Sequence, residues 1–511
     1  MSVWYQEKNS SMSIPEFFKG KCIFMTGGSG FIGKVMIEKL LRTCPDIKNI
    51  YVLVRPKRGK NIQERVKNLF DVPLFDELKK QNIKAIEKVL GVAGDITQLD
   101  LGLNKEDTDT LINNVSIIYH IAASVRFNDF LKSAILTNTR STRDVITLAK
   151  KLKTLDVFVY CSTAYSNCDH DVIEESIYPS KQDWRKAIGM AENCDEMSLQ
   201  ALTEKIIYPM PNTYTYTKGL AERVVFDLCE NQIPAIVLRP SIVSPAIKDP
   251  IPGWVDNFNG PMTLSLLAGK GILKVVYSDD KVIRDHVFVD NAVNALIIAA
   301  WKKATQSDIS SIEVYNAASD MNFSQGFNRA LVPTIIRNNP ADSYLGSAFY
   351  YSLQNKTIFY ILTLIIHVLP ALVIDGVTSL LGKKPRLLKI YRRLLIANVS
   401  LSSFMLKTFK INTENYVGLE DNLLECDKPT FSFIQNRSRT DTEGTKAMII
   451  VVWGGMKRFL LNSKSQATEA EIKRYDRVTA FQNTIFLILK SLLLYFVGSK
   501  VILPWIAQQL T

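Results

Sequence analysis

The sequence predicts an α/β protein: a doubly wound parallel sheet, followed by a mainly helical C-terminal domain and a C-terminal membrane segment. Three observations predict it. Over roughly the first 300 residues, short β-branched runs alternate with helical patterns, the signature of parallel strands joined by crossover helices. A glycine loop, Thr26-Gly27-Gly28-Ser29-Gly30-Phe31-Ile32-Gly33, stands between the first such run and the first helical pattern. Beyond about Asn338 the texture changes, and two long apolar stretches follow.

The candidate strands are Cys22–Met25, Ile50–Val54, Val89–Ala93, Ile117–Ile121, Val157–Cys161 and Ala235–Leu238. Their near-continuous apolar character fits strands buried on both faces. Between the first two, Phe31, Ile32, Val35, Met36, Leu40 and Leu41 recur at helical spacing. The glycine loop therefore joins a strand to a helix, the context of a Rossmann-type nucleotide site. Spaced G-x-x-G-x-x-G, Gly27, Gly30 and Gly33 allow a tight turn and close approach to a pyrophosphate, whose charge the helix N-terminus stabilises. Residues Thr26, Gly27, Gly28, Ser29, Gly30, Phe31, Ile32 and Gly33 are the candidate ligands.

A site for NAD usually carries an acidic residue about 20 positions after the loop, to accept from the ribose 2′-hydroxyl. Here that position reads Val54-Arg55-Pro56-Lys57-Arg58, without an acid. Arg55 can pair bidentately with a 2′-phosphate, so the reading is NADPH; Lys57 or Arg58 could serve the same role. Asp95, after the third strand, could accept from an adenine amino group, and Ala122 and Ala123, after the fourth, would let the cofactor pack closely.

Carbonyl reduction needs a hydride on carbon and a proton on oxygen. Tyr214 and Lys218 lie four apart in a helical pattern and so share a face. An ammonium near the phenol favours phenolate and would bring the tyrosine pKa down toward neutrality. Tyr214 is the candidate acid, and Lys218 its tuner and a ribose ligand. A hydroxyl polarising the carbonyl is expected at the end of the fifth strand, where Ser162 and Thr163 are both candidates. Cys161 raises a rival mechanism, a thiolate forming an acyl-enzyme, but no local charge pattern lowers its pKa.

Composition bounds the rest. The 511 residues are enough for two or three domains, here 1–19 as a tail, 20–340 as the catalytic domain, 341–480 as the helical domain and 481–511 as the anchor. Seven cysteines, odd in number and scattered, indicate neither a disulfide framework nor a zinc site. His120, His170, His286 and His367 lack metal-ligand spacing and read as structural, so no metal is expected. The polar first 20 residues lack a secretory core. Net charge is +12, concentrated in Lys383, Lys384, Arg386, Lys389, Arg392, Arg393, Lys407 and Lys410. Interleaved with leucines and isoleucines, this run favours a lipid membrane surface over nucleic acid. Ile358–Ile374 is apolar but broken by His367 and Pro370, short of the roughly 20 clean residues of a span; a re-entrant segment or tunnel wall fits it equally. Ile485–Ile506 is broken by Lys490 and Lys500, and the preceding Lys473, Arg474 and Arg477 put the bulk of the chain on the cytoplasmic side if it spans.

Several motifs together carry a family resemblance: Thr26 to Lys34, Val52-Leu53-Val54-Arg55-Pro56-Lys57, His120-Ile121-Ala122-Ala123, Val125-Arg126-Phe127, Ser162-Thr163-Ala164-Tyr165, Asn212 to Lys218, Leu238 to Val243 and Arg284 to Asp290. The chain resembles the extended short-chain dehydrogenase/reductases and, more narrowly, the alcohol-forming fatty acyl-CoA reductases. The resemblance implies NADPH-dependent reduction of a long-chain fatty acyl-CoA to a primary fatty alcohol through an aldehyde, with two hydride transfers and release of CoA. It also implies a membrane enzyme of the endoplasmic reticulum or peroxisome with its catalytic domain facing the cytosol, and is compatible with a homo-oligomer. Val452 to Phe459 only loosely echoes the family pattern. Two other readings are a membrane-associated steroid or sterol dehydrogenase, which would need no domain of over 100 residues before its anchor, and a non-catalytic lipid-binding protein, against which Tyr214, Lys218 and the glycines stand.

Overall fold

A computed structural model describes residues 12–56, 61–179, 182–258, 260–305, 311–318, 321–433, 442–464 and 466–497. Lys57, Arg58 and the end of the 485–506 stretch lie outside them. Seven strands form one parallel sheet: β1 (Cys22–Thr26), β2 (Asn49–Val54), β3 (Val89–Ala93), β4 (Ile117–His120), β5 (Val157–Cys161), β6 (Ala235–Pro240) and β7 (Glu313–Ala317), in the order β3-β2-β1-β4-β5-β6-β7. Every neighbouring pair is parallel, with Thr26 opposite His120, His120 opposite Tyr160 and Cys161 opposite Leu238.

The strands form because their side chains have nowhere else to go. All residues of β1, β4, β5 and β6 are buried, as a sheet covered on both faces requires. On one face, the helix α2 (Thr213–Cys229) packs Leu220, Val224 and Val225 into a core with Phe24, Ile118, Phe158 and Val237. Against α1 (Phe31–Thr43), β5 and β6 lies the helix Val289–Thr305, which is buried almost throughout. The strand order reverses between β1 and β4. There the carboxyl ends open a crevice, the switch point where open α/β sheets bind ligands.

The strand β7 was not among the expected ones. Its sequence, Glu-Val-Tyr-Asn-Ala, is too polar to read as a buried run, and tertiary hydrogen bonds make it one. The Asn316 amide is buried and donates to the carbonyls of Ile173 (3.1 Å) and Asn412 (2.8 Å).

The chain divides into two compact units whose segments interleave. One comprises Met1–Asn259, Ile283–Phe323 and Ser403–Val452, the other Gly260–Val282, Ser324–Ser402 and Trp453–Thr511. The first holds the sheet. In the second, the apolar stretch, which His367 and Pro370 left open between a span, a re-entrant segment and a tunnel wall, is one unbroken 25-residue helix, Lys356–Leu380. The reason is local: a π-helical turn at Leu364–Val368 precedes Pro370, which sits in the first turn of the next segment, where the missing N–H is least costly. Among the described residues this is the one helix long and apolar enough to cross a membrane. Its polar interruption is also accommodated, because His367 Nε2 accepts from the Lys274 backbone N–H (2.9 Å) and the ring stacks on Tyr391. Asp375 accepts from the backbone N–H groups of Arg386, Leu387 and Leu388 (3.1, 3.0 and 2.9 Å). It thereby starts the helix Leu387–Met405, on which Lys389, Arg392 and Arg393 are exposed. The terminal helix runs Glu469–Val497.

Candidate active site

The glycine loop leaves β1 with Gly27 at φ +80°, a left-handed conformation that suits glycine. A Cβ there would come within 2.6 Å of the Ala122 backbone nitrogen, so Gly27 and Ala122 press together across the switch point. A Cβ on Gly33, in the first turn of α1, would run into the Gly27 carbonyl. Gly30 caps α1 with extended backbone, without a side-chain cap and without an acid in the first turn. The first N–H groups of α1 are therefore open to an anion, and the cradle fits a pyrophosphate. Ser29 and Gly30 are exposed, and Phe31 and Ile32 half-buried. Thr26 differs: its fully buried hydroxyl bonds His120 Nδ1 (2.7 Å) and accepts from Ala122 N–H (3.2 Å). It pins β1 to β4 and turns no side chain outward.

Beside the loop, Arg55 and Asp95 meet. The guanidinium grips the carboxylate at 2.8 and 3.0 Å, while Thr97 donates to it from its N–H and its hydroxyl (2.9 and 2.8 Å). Burial alone would raise the Asp95 pKa, but the Thr97 and Arg55 contacts hold it below the usual value. Arg55 keeps 60% of its side chain exposed, so donors remain for a phosphate. Ala123 is half-buried beyond β4.

Around the end of β5 the hydroxyls separate into two groups. Ser162 Oγ donates to Glu222 (2.5 Å), which also accepts from Ser166 (2.7 Å), Asn167 (3.1 Å) and Arg239 (2.9 and 2.7 Å). Glu222 and Arg239 are buried, 2% and 0% exposed. Burial would raise the Glu222 pKa, but Arg239 and the two serines hold it low. Ser162 thus belongs to a buried polar network. Thr163, by contrast, lies near enough to the Tyr214 phenol to favour its ionised form, while its hydroxyl donates to Pro240 O (3.5 Å) and accepts from Tyr165 N–H (3.3 Å). Of the two candidates, the one facing the tyrosine is Thr163.

Lys218 and Tyr214 lie one turn apart on α2, but their head groups diverge. Lys218 Nζ donates to the Cys161 carbonyl (2.7 Å) and the Tyr160 hydroxyl (3.2 Å) and stands 4.6 Å from the Tyr160 ring centre. Burial lowers its pKa to about 8. Burial likewise raises the Tyr214 pKa, which Thr163 only partly offsets. The phenol is thus shifted opposite to the expected lowering, and the ammonium is bonded to the Cys161 carbonyl and the Tyr160 hydroxyl. Tyr216 points the other way, bonding Gln182. The Cys161 thiol is buried, which pushes its pKa up to about 11; it is a poor nucleophile at neutral pH.

Two residues escaped sequence reasoning. Asn138, buried in a π-helical turn (Ile135–Arg140), accepts from Ser124 N–H (2.9 Å) and donates to Ser124 O (3.1 Å) and Thr217 Oγ1 (3.0 Å). It ties the loop after β4 to α2, and so the cofactor side to the tyrosine side. The polar run Thr137-Asn138-Thr139 in a buried helix was the available signal. Ser241 Oγ, buried just past β6, has no hydrogen-bond partner among the described residues.

Known proteins match this chain along its length. The male sterility protein family profile covers residues 25–296, and a second of the same description covers 366–463. Fatty acyl-CoA reductase 1 of Xenopus laevis is 36% identical over 484 residues, covering 94% of this chain and 92% of that protein. The chain belongs to the fatty acyl-CoA reductase family. The Homo sapiens fatty acyl-CoA reductase 1 is 37% identical over 483 residues, with 94% and 92% covered, and the Drosophila melanogaster fatty acyl-CoA reductase wat is 33% identical over 473, with 92% and 89% covered. The fold of this fatty acyl-CoA reductase is shared with the terminal R domain of the myxalamid PKS-NRPS pathway (TM-score 0.56, 18% identical, 88% and 93% covered). It is also that of a nonribosomal peptide synthetase reductase domain from Mycobacterium tuberculosis (TM-score 0.55, 18% identical, 89% and 95% covered). The protein is an oxidoreductase with a nicotinamide cofactor.

Proposed function

We propose that this reductase converts a long-chain fatty acyl-CoA to the primary fatty alcohol through an aldehyde, using two NADPH. The observation that carries the mechanism is the nearness of the Thr163 hydroxyl to the Tyr214 phenol beyond the end of β5, on the same carboxyl edge as the glycine cradle. NADPH, when bound, supplies hydride. Gly27, Gly30 and the open N–H groups of α1 would hold its pyrophosphate, Arg55 its 2′-phosphate, and Ala122 and Ala123 would leave room for it to lie close. Thr163 and Tyr214 donate to the carbonyl oxygen and so stabilise the charge that grows there. In the thioester step that charge collapses to expel CoA thiolate. In the aldehyde step Tyr214 transfers its proton to the alkoxide. Lys218, bonded to the Cys161 carbonyl and the Tyr160 hydroxyl, would offer its ammonium to the nicotinamide ribose. Because burial raises the Tyr214 pKa, the phenol stays protonated at neutral pH and ready to donate.

The substrate class rests on the relatives' identity over nearly the whole chain. Membrane engagement rests on the helix Lys356–Leu380 and its exposed apolar side chains Leu372, Val373, Ile374 and Val377, beside the basic run at 383–393. The catalytic domain would then face the cytosol, on endoplasmic reticulum or peroxisome. Purified protein in detergent with palmitoyl-CoA should oxidise two NADPH per alcohol formed. Tyr214→Phe should abolish this while NADPH still binds; one NADPH per turnover with aldehyde as the product would overturn the two-step reading.

A further inference from the structure

The segment after the helix Leu387–Met405 is strapped onto the catalytic unit. Lys410–Ile411 pairs in parallel with Val172–Ile173, and Asn412 N–H donates to Ile173 O (2.9 Å). Ile283 N–H donates to Thr408 Oγ1 (3.0 Å), and Lys407 pairs with Asp171 (2.9 Å). Held this way, the strap brings Phe409 to the site and fixes the end of the preceding helix, which brings Phe404. Phe404, 8% exposed, has its ring centre 5.4 Å from Phe127 and 5.1 Å from Tyr165; Phe409 lies 5.7 Å from Tyr165. Phe127 in turn stacks on Tyr214 itself, at 5.8 Å and 25°. Tyr165 follows Thr163 by two residues and donates its N–H to the Thr163 hydroxyl (3.3 Å). The rings thus stand beside both hydroxyls assigned to the carbonyl oxygen, yet no step of the chemistry uses them.

We propose that Phe404, with Phe127 and Tyr165, forms a rigid aromatic wall that admits an unbranched acyl chain next to the reacting carbonyl and rejects branching at the adjacent carbons. Phe404 is then a specificity-determining residue, contributed by the C-terminal segment. The inference rests on the acyl-reductase reading above. A polymethylene chain is slim and slides along ring faces, whereas a methyl branch needs volume that a close-packed, two-sided aromatic contact does not release. A single methyl in an apolar pocket discriminates about ten-fold or more.

The test compares kcat/KM for palmitoyl-CoA and 2-methylpalmitoyl-CoA in wild type, Phe404→Ala, Phe404→Leu and Phe404→Trp, with NADPH affinity measured alongside. The branched-to-linear ratio should rise about ten-fold in Phe404→Ala, less in Phe404→Leu, and fall in Phe404→Trp, with NADPH affinity unchanged. An unchanged ratio in Phe404→Leu and Phe404→Trp, both able to bind NADPH, would overturn the proposal even if Phe404→Ala does not fold. Wild-type protein that reduces neither thioester overturns the underlying reading, and the wall's role with it.

Discussion

Lys218 shows at the scale of one residue how burial sets a working range. Its ammonium, with a pKa lowered to about 8 by burial, is the form that would donate to the nicotinamide ribose in the proposed mechanism. Above about pH 8 the native protein loses that charge, so kcat/KM should fall about ten-fold per pH unit on an alkaline limb. A flat profile to pH 10 would remove Lys218 from the mechanism. The linked stability runs the other way: between about 8 and the ordinary lysine value the unfolded chain binds the proton that the native state has lost, so folding gains stability with rising pH across that window. Arg55 makes a second prediction. Arg55→Asp faces Asp95 with a like charge and removes the 2′-phosphate partner, so the NADPH Kd should rise about 10- to 100-fold relative to that of NADH, as loss of a charged hydrogen bond implies. Cofactor titration by nucleotide fluorescence checks it, and an unchanged ratio moves the contact elsewhere.

Among elements, the joint between β5, β6 and α2 matters most. Ser162 just past β5, Glu222 on α2 and Arg239 on β6 meet there, and their bonds lock the platform on which Thr163 and Tyr214 stand. Removing one partner leaves the other charge buried and unpaired. Glu222→Ala should therefore cost about 3 to 5 kcal/mol, read as a fall in the thermal midpoint; a variant as stable as wild type would show that Arg239 finds compensation. The β1–β4 joint has an analogous role for His120, which burial keeps neutral with a pKa of about 3 between the Thr26 and Thr142 hydroxyls. Below about pH 6.5 the unfolded state takes up a proton that the native state refuses, so this joint loses stability as pH falls toward 3.

At the scale of the whole molecule, an α/β reductase unit is combined with a unit that carries an exposed apolar helix and a basic run. Val373 and Val377 are 68% and 52% exposed, on the helix Lys356–Leu380. Replacing both by Lys should reduce flotation of the full-length protein with lipid vesicles, since a charge placed in hydrocarbon costs about 2.5 to 3.5 kcal/mol. Undiminished flotation would assign membrane contact to another part of the chain. The interleaving of the segments also explains how Phe404 comes to lie against Phe127 and Tyr165, a proximity that a linear succession of domains does not suggest.

The sequence by itself determined six strands of the sheet and the place of the glycine loop between a strand and a helix, because both follow from local rules. Strands buried on both faces read as apolar runs, and glycine spacing reflects backbone clearances that hold wherever such a loop meets a helix. Five of the six expected strands begin at the residue where they are found; β2 begins one earlier. Tertiary structure decided what depends on distant partners. It separated Ser162 from Thr163, two adjacent hydroxyls that differ only in what faces them, and bonded the Lys218 ammonium to the Cys161 carbonyl and the Tyr160 hydroxyl. It made a strand of the polar segment Glu313–Ala317, kept Lys356–Leu380 continuous through Pro370, and brought Phe404 against Phe127, which stacks on Tyr214. Each of these turns on which group lies opposite in space, a relation that spacing along the chain does not encode.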